Sequence, residues 1–307
     1  MKEKRSKKPL KIIAFIAFAA AVLVFLAANG GILSGLENTL GSKKKKPLDD
    51  TPFYICFCDV GQGDCTLAVC GGKSLLIDAG ENGYEQKVFN LLNSSGIKKL
   101  DYIIATHPHS DHIGGIPEVL DYFGAGVLYS VRTDPKELDA AVTYSAMMNA
   151  AEECGARVEE PRQGISFMLG DAKVEFEGPV SFEDENLNNS SAVTKITYGK
   201  QTFLICADAE EAEEREIIES GADIDCDVIR IAHHGSAGSS SEAFLEAATP
   251  DYCVISCGRD NDYGHPHDAA LERMRLFTDD IYRTDLSGSI TFTCSGGKMK
   301  VTSSNNP

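Results

Sequence analysis

Three histidines and one aspartate occur within six consecutive residues, directly after an apolar run that predicts a buried strand. The run is 102–105, and the residues that follow it include His107, His109, Asp111 and His112. Imidazole and carboxylate groups are the ligands that zinc-like divalent ions prefer, and a loop at a strand end can direct neighbouring side chains to one point. Because the chain has only seven histidines, chance is a poor explanation for this cluster. The segment therefore predicts a metal site in a fold that contains a sheet.

Short strand-like runs alternate with glycine-rich turns and with segments that have the periodicity of amphipathic helices. Many strands with interspersed helices, and no regular strand–helix alternation, are typical of a layered α/β architecture. The predicted strands are 53–59, 65–70, 74–78, 102–105, 165–169, 173–176, 192–198, 202–207, 227–232 and 252–256, with further strands up to residue 301. The predicted helices are 84–92, 135–154, 209–219, 241–248 and 269–277.

The start of the chain has the pattern of a targeting segment. A basic run, 2–8, precedes seventeen uncharged residues, 12–28, which are short for a membrane-spanning helix and slightly long for a signal-peptide core. We expect an uncleaved membrane anchor, with a signal cleaved after Gly30 as the alternative. Since basic residues stay on the cytoplasmic side, the remainder is expected outside the cytoplasm, tethered to the membrane or secreted. The expected segments are 1–30 (basic region and hydrophobic segment), 31–51 (lysine-rich linker) and 52–303 (one catalytic domain).

Charge is divided unevenly along the chain. Residues 1–46 contain ten of the 29 basic residues but only Glu3 and Glu37 of the 46 acidic ones. The 19 basic and 44 acidic residues that remain leave a balance of −25 on residues 47–307. A domain this acidic repels nucleic acid unless metals or a local basic groove reverse the field. Nucleic acid is therefore a disfavoured partner, and no pattern predicts the oligomeric state.

The ten cysteines do not identify a second type of site. Most lie in apolar, strand-like runs, where cysteine behaves as a small hydrophobic residue. No CxxC pair occurs, so a structural zinc ribbon is not indicated. Disulfides and free thiols both remain open for Cys56, Cys58, Cys65, Cys70, Cys154, Cys206, Cys226, Cys253, Cys257 and Cys294.

The HxHxDH pattern at 107–112 resembles the signature of the metallo-β-lactamase superfamily. The surrounding sequence is more specifically similar to the hydrolase domain of ComEC-type competence proteins, in a stand-alone, membrane-anchored form. Four other segments support this resemblance in the same order along the chain: 59–64, 76–80, 232–236 and 263–267. The resemblance extends from about residue 53 to beyond His267. It implies a four-layer αββα sandwich with the metals at one edge, between the two sheets.

The resemblance also implies two divalent ions, Zn²⁺ first and Mn²⁺ as the alternative. His107 and His109 would bind the first ion, Asp111 and His112 the second, and Asp208 would bridge the two. The last ligand of the second ion would be His233. Asp78 would orient a ligand histidine from behind. A different role for Asp208, as the N-cap of the helix at 209–219, is compatible with this one.

One part of the superfamily pattern is missing. A third histidine usually binds the first ion, but no histidine occurs between residues 113 and 232. The stretch 188–191, with Asn189 and Ser191, lies where that ligand is expected and resembles the corresponding segment of ComEC-type domains. Because Asn and Ser are poor zinc ligands, the first site is expected to be weaker, completed by water or substrate, or occupied by manganese.

Other residues are candidates for the reaction itself. Asp111 and Asp208 would orient a metal-activated water and could accept its proton. His265 is the candidate for substrate contact or leaving-group protonation, and His234 is the second candidate, with a ligand role as its alternative. Asp59 and Asp64, on either side of a glycine-rich turn, are candidates for hydrogen bonds to the loop 107–112, which we call the metal loop.

Three functions are compatible with these observations. The first is hydrolysis of a phosphodiester, either in nucleic acid or in a smaller surface group such as phosphorylcholine. ComEC-type domains are thought to act as nucleases, but the acidic balance disfavours DNA here. The second is hydrolysis of an ester, thioester or lactam by the same metal cradle. The third is a non-catalytic surface scaffold, which the intact histidine cluster argues against and the missing third histidine mildly favours.

Overall fold

A computed structural model describes residues 53–131, 136, 138–182 and 186–305, and within them the chain forms two mixed β-sheets flanked by helices. The predicted anchor and linker lie outside these residues, as do most of the residues just before the long helix that was predicted from residue 135. None of the described helices is long and apolar enough to cross a membrane.

The strands are numbered in chain order. They are β1 (Phe53–Phe57), β2 (Thr66–Cys70), β3 (Lys73–Ile77), β4 (Leu100–Ala105), β5 (Ala125–Ser130), β6 (Arg157–Glu159), β7 (Ser166–Leu169), β8 (Ala172–Phe176), β9 (Thr194–Tyr198), β10 (Gln201–Ile205), β11 (Val228–Arg230), β12 (Tyr252–Ile255), β13 (Ile281–Arg283), β14 (Ile290–Ser295) and β15 (Lys298–Ser303). One sheet has the order β15-β14-β1-β2-β3-β4-β5-β6, and the other has the order β13-β12-β11-β10-β9-β8-β7.

The helices complete the two outer layers. They are α1 (Glu85–Ser94), α2 (Ser110–Ile113), α3 (Ile116–Phe123), α4 (Leu138–Cys154), α5 (Glu211–Ser220), α6 (Glu242–Ala248), α7 (Asp268–Met274) and α8 (Thr284–Ser287). Two short 3-10 turns, Leu187–Ser190 and Ala232–Gly235, lie beside the ends of the second sheet.

Each sheet is parallel in one half and antiparallel in the other. Strands β3 to β6 run parallel to one another, and so do β10 to β13. Helices connect these parallel strands, because a parallel pair requires a crossover. The sequence patterns did not indicate this regular strand–helix alternation, which the structure shows in both halves.

Three apolar layers hold the sheets and helices together. The central layer lies between the sheets, and the outer two lie between each sheet and its helices. Successive residues of one strand serve different layers because side chains alternate across a sheet. Ile104 of β4 points into the central layer, whereas Ile103 packs against the helices. The mixed α/β sandwich expected from the sequence is confirmed.

All ten cysteines lie within the described residues, and none of them forms a disulfide. Nine of them are buried, and only Cys154 is partly exposed. Their burial agrees with the expectation that cysteine fills apolar positions in the strands.

Candidate metal centre

The candidate ligands lie at the ends of strands from both sheets. The loop after β4 contributes His107 to His112, and Asp78 follows β3. In the other sheet, Asp208 follows β10, and the turn Ala232–Gly235 follows β11. Because parallel strands end at the same edge, these loops meet where ligands commonly bind in α/β sheets.

Four of these side chains form a compact group in which the candidate ligand atoms lie within 4.8 Å of one another: Asp111, His112, Asp208 and His234. The His112 Nε2 atom is 3.1 Å from Asp208 Oδ1. The His234 Nε2 atom is 3.1 Å from Asp111 Oδ2 and 3.6 Å from Asp208 Oδ2. Two imidazoles and two carboxylates at this spacing are a suitable donor set for a divalent ion.

His107 and His109 form an adjoining pair. Their Nε2 and Nδ1 atoms are 3.0 Å apart. The His107 Nε2 atom is also 4.0 Å from Asp208 Oδ2. Asp208 therefore links His107 to the other members of the compact group, as a bridging carboxylate would.

The two histidines of the turn Ala232–Gly235 have different surroundings. His234 is buried and belongs to the compact group, whereas the side chain of His233 is 25% exposed. The His233 Nε2 atom is 3.7 Å from Asp208 Oδ2, and its Nδ1 atom is 3.4 Å from Glu210 Oε1. Both histidines have positive φ, 50° and 54°. The turn thus brings His234 among the candidate ligands and places His233, the ligand expected from the sequence, at the edge of the group, with its Nε2 atom still facing Asp208.

Asp78 holds His112 from behind. Its Oδ2 atom is 2.8 Å from His112 Nδ1, and its carboxylate also accepts hydrogen bonds from the backbone and the hydroxyl of Thr106. With Nδ1 engaged, the Nε2 atom of His112 faces Asp208. This is the arrangement in which a carboxylate orients a ligand histidine.

Asp208 is supported by the segment that stands in place of the missing histidine. Its backbone N–H donates to Ser191 Oγ over 3.2 Å. The Ser191 N–H donates to Glu213 Oε2, and Asn189 Oδ1 accepts from the Glu213 N–H. Asn189 and Ser191 therefore lie behind the centre and fix the start of α5.

Asp59 and Asp64 differ in their distance from the centre. Asp59 accepts a hydrogen bond from the Gly61 N–H and pairs with Lys87 near the surface. Asp64 is buried, and its N–H donates to the Asp111 carbonyl oxygen over 3.0 Å. The carboxylate of Asp64 forms an ion pair with Arg230, which is fully buried.

Arg230 is the site residue that the sequence did not predict. The available signal was a single charge inside the apolar run that became β11. Its partners come from distant parts of the chain, so no local pattern could identify them.

The histidines around the centre keep the Asp208 carboxylate ionised, which is the form that binds a metal. Burial raises the pKa of Asp208, but His112 and His234 outweigh this effect and hold it well below its usual range. Burial opposes charge on His112, yet Asp208 and Asp111 raise its pKa well above the usual value. Burial and the neighbouring His112 lower the pKa of His107. A cation would take the place of the proton on His112, because metal ligands bind in their deprotonated forms.

Two buried atoms of the compact group also fit a cation. Within the described structure, His112 Nε2 and Asp208 Oδ1 make no hydrogen bond, although they are an ion pair 3.1 Å apart. Buried polar atoms without such partners are rare in native proteins and often indicate an ion or a water. The residues present therefore fit a divalent metal.

The centre opens into a cleft with two parts. The inner cavity, of about 290 Å³, is lined by His109, Asp111, Asp208, His233, His234 and His265, among others. The outer cavity, of about 590 Å³, shares Gln62, Ser110, Asp111 and Tyr263 with the inner one. Its other charged lining residues are Asp59, Glu81, Lys87, Arg259, Asp260, Asp262 and Asp285.

His265 lines the inner cavity as an uncharged group. Burial, His234 and His233 lower its pKa to about 4. Its ring centroid is 5.6 Å from that of His233 and stacks with Tyr263 at 5.7 Å. The adjacent His267 Nδ1 instead accepts a hydrogen bond from the Ala237 N–H. His265 is therefore placed to contact a bound molecule.

Comparison with known proteins agrees with this geometry. A family model described as "Metallo-beta-lactamase superfamily" matches residues 58–259. The chain is 29% identical to ComE operon protein 3 of Bacillus subtilis, over 92% of this chain and 39% of that protein. It is 28% identical to the competence protein ComA of Neisseria gonorrhoeae, over 95% of this chain and 40% of that protein. The chain thus spans about two fifths of the length of these relatives.

A solved structure shows the same fold at low sequence identity. CmlA, a diiron β-hydroxylase from Streptomyces venezuelae, superposes with a TM-score of 0.52 and 16% identity. The match covers 80% of this chain and 54% of the other. At this identity the likeness concerns the fold alone.

Proposed function

The chain belongs to the metallo-β-lactamase superfamily, and we propose that it is a metal-dependent hydrolase that cleaves a phosphodiester. One observation carries this proposal. Ligand-type side chains from the ends of both sheets converge on Asp208, with His112 and His234 on one side and His107 on the other. A scaffold without catalytic function would have no need of this convergence.

The centre is proposed to hold two divalent ions, Zn²⁺ or Mn²⁺. His107, His109 and Asp208 would hold one ion, and Asp111, His112, Asp208 and His234 the other, with His233 beside them. When bound, such ions act as Lewis acids and lower the pKa of water towards neutrality.

The protein's own residues would position the reacting groups. Asp111, whose side chain is 29% exposed, lies on the wall of both cavities and can accept a hydrogen bond from the attacking water. Because its pKa is lowered to about 4, His265 is uncharged at neutral pH and is a poor proton donor. We assign it to substrate contact rather than to leaving-group protonation.

A small phosphodiester is the favoured substrate. The outer cavity is lined by more carboxylates than cations, with only Lys87 and Arg259 as basic lining residues. Nucleic-acid grooves are instead lined by Lys and Arg that follow the phosphate backbone. Nucleic acid is the second candidate, supported by the resemblance to competence proteins. The basic and hydrophobic segment at 2–28 supports a membrane-tethered or secreted, extracytoplasmic location.

The test is hydrolysis by the full chain supplied with Zn²⁺ or Mn²⁺. Bis-p-nitrophenyl phosphate should be cleaved, while nitrocefin and a thioester should not; single- and double-stranded DNA are included in the same series. Asp111→Asn and His109→Ala should each lower the rate at least about a hundredfold, because each removes a group at the centre. The exposed Asp121 serves as the control, and Asp121→Asn should keep the wild-type rate.

Each alternative has its own outcome in this experiment. Cleavage of nitrocefin or thioester alone would replace phosphodiester hydrolysis with acyl hydrolysis. Less than half an equivalent of metal after metal-replete purification would favour the scaffold. Full activity of Asp111→Asn would contradict the proposed roles at the centre.

A further inference from the structure

We infer that Arg230 is a positioning residue of the metal centre, where its buried guanidinium holds Asp208 in place for metal binding. This inference rests on the proposed metal-dependent function. It assigns a role to a side chain that is neither a ligand nor a contact for substrate, because Arg230 is fully buried.

The strand register places this arginine between the sheets. Arg230 is the last residue of β11 and pairs with Ile205 on one side and Val254 on the other. Side chains alternate along a strand, so Arg230 shares the face of Val228, which belongs to the central layer. An arginine at this depth is costly unless its charge and its N–H groups are matched.

The partners of Arg230 are parts of the centre itself. Its Nη1 group donates to the carbonyl oxygen of Ala207, the residue before Asp208, and lies 3.8 Å from Asp208 Oδ1. Its Nη2 group lies 3.2 Å from His234 Nδ1. Arg230 therefore fixes the backbone that carries the candidate ligand Asp208.

The backbone conformation of Ala207 explains why the hydrogen bond from Arg230 is needed. It has a φ of 48°, which a residue other than glycine rarely adopts. The hydrogen bond from Arg230 to the Ala207 carbonyl oxygen stabilises this conformation, in which the Asp208 side chain lies beside His112. His234 is fixed separately, because its Nδ1–H donates to the Ser256 carbonyl oxygen over 2.9 Å.

The charge of Arg230 also decides where a cation can bind. Asp64, Asp78 and His112 have ligand atoms close enough to form a second candidate group. The guanidinium pairs with Asp64 and so occupies this group with a fixed positive charge. Asp78 is then left to orient His112, and a divalent ion is directed to the Asp111–Asp208 side.

The test compares metal binding by full-chain variants, measured by calorimetry with Mn²⁺ and by the absorption spectrum of bound Co²⁺. Arg230→Lys keeps the positive charge but loses the planar guanidinium with its several N–H donors. The Kd for Mn²⁺ should therefore rise about 10- to 100-fold. The Co²⁺ spectrum should change even at saturation, because the coordination geometry changes. A purely structural role would lower the thermal midpoint without changing the spectrum.

A second variant protects the test against misfolding. Arg230→Met combined with Asp64→Asn removes both buried charges, so no uncompensated carboxylate remains. It should fold and still bind Mn²⁺ about 10- to 100-fold more weakly. The control is Arg283→Lys on β13, where the guanidinium holds Asp285 instead of a candidate ligand. It should keep the wild-type Kd and spectrum.

The outcomes separate this inference from the proposed function. If wild-type protein binds Mn²⁺ and hydrolyses the phosphodiester while both Arg230 variants keep its Kd and spectrum, the inference is overturned and the function stands. If wild-type protein binds neither Mn²⁺ nor Co²⁺, both are overturned.

Discussion

His233 and His234 show how neighbouring residues can have different roles. Both have left-handed backbone conformations, which turn their rings in different directions. His234 is held between Ser256 and Asp111, whereas His233 faces Glu210 at the cleft wall. The chemistry of the side chain is the same in both, so the sequence alone could not show which of them joins the compact group.

Alanine substitutions should separate these two histidines. His234→Ala should weaken Mn²⁺ binding by more than about a hundredfold, because losing a direct ligand lowers metal affinity more than losing a residue that only supports a ligand. His233→Ala should weaken it by less than about tenfold. Calorimetric titration of both full-chain variants measures the difference. The reverse order would make His233 the ligand and His234 its support.

Glu177 provides a pH-dependent contribution to stability away from the centre. Burial, with a smaller contribution from Glu175, raises its pKa to about 7. In the unfolded chain a glutamate titrates near 4.3. Between these values the unfolded chain releases its proton first, so rising pH favours unfolding and this carboxyl destabilises the fold above pH 7.

Glu177→Gln should therefore raise the free energy of unfolding at pH 8 by about 1–3 kcal/mol. The difference from wild type should largely disappear near pH 4, where the carboxyl is mostly protonated in both states. Thermal unfolding of the full chain across this pH range measures it, with the exposed Glu246→Gln as the control. An equal effect at pH 4 and pH 8 would contradict the proposed ionisation.

At the scale of elements, the loop between β1 and β2 packs directly on the metal loop. Gly63 has a φ of 142°, and a Cβ at this position would collide with the Asp111 carbonyl oxygen. The same oxygen accepts the hydrogen bond from the Asp64 N–H. The two loops can therefore approach this closely only with glycine at this position.

Gly63→Ala should displace the metal loop and weaken Mn²⁺ binding at least about tenfold. The matched control is Gly83→Ala, which also has positive φ, 96°, but has open space around the added Cβ. It should lose some stability through backbone strain and keep its metal affinity. Calorimetry reports the affinity and thermal unfolding the stability; equal affinities in both variants would show that the contact with Asp111 is unimportant.

Most elements were predictable from local patterns, and the exceptions have physical reasons. The strand β5 was missed because its short apolar run follows α3 after a single residue, Gly124. The strand β6 was missed because it has three residues, none of them buried. Likewise, the histidine cluster was evident because its ligands are adjacent in sequence. Arg230 was not, because its role depends on Asp64, 166 residues earlier in the chain.

At the scale of the molecule, the centre requires both sheets. Asp78 and the metal loop extend from one sheet, and Asp208 and His234 from the other. Arg230 joins them, because it starts on the second sheet and pairs with Asp64 beside the first. Neither half contains all of the candidate ligands, so the two sheets must pack together before these side chains can meet.

The strand β1 lies between β2 and β14, so an early part of the described chain is completed by one of the last. The backbone N–H of Asp59 likewise donates a hydrogen bond to Ser289 Oγ, 230 residues further along. During synthesis β1 can therefore gain its second neighbouring strand only after residues 290–295 have emerged from the ribosome. A chain that stopped before residue 290 would leave one edge of β1 unpaired.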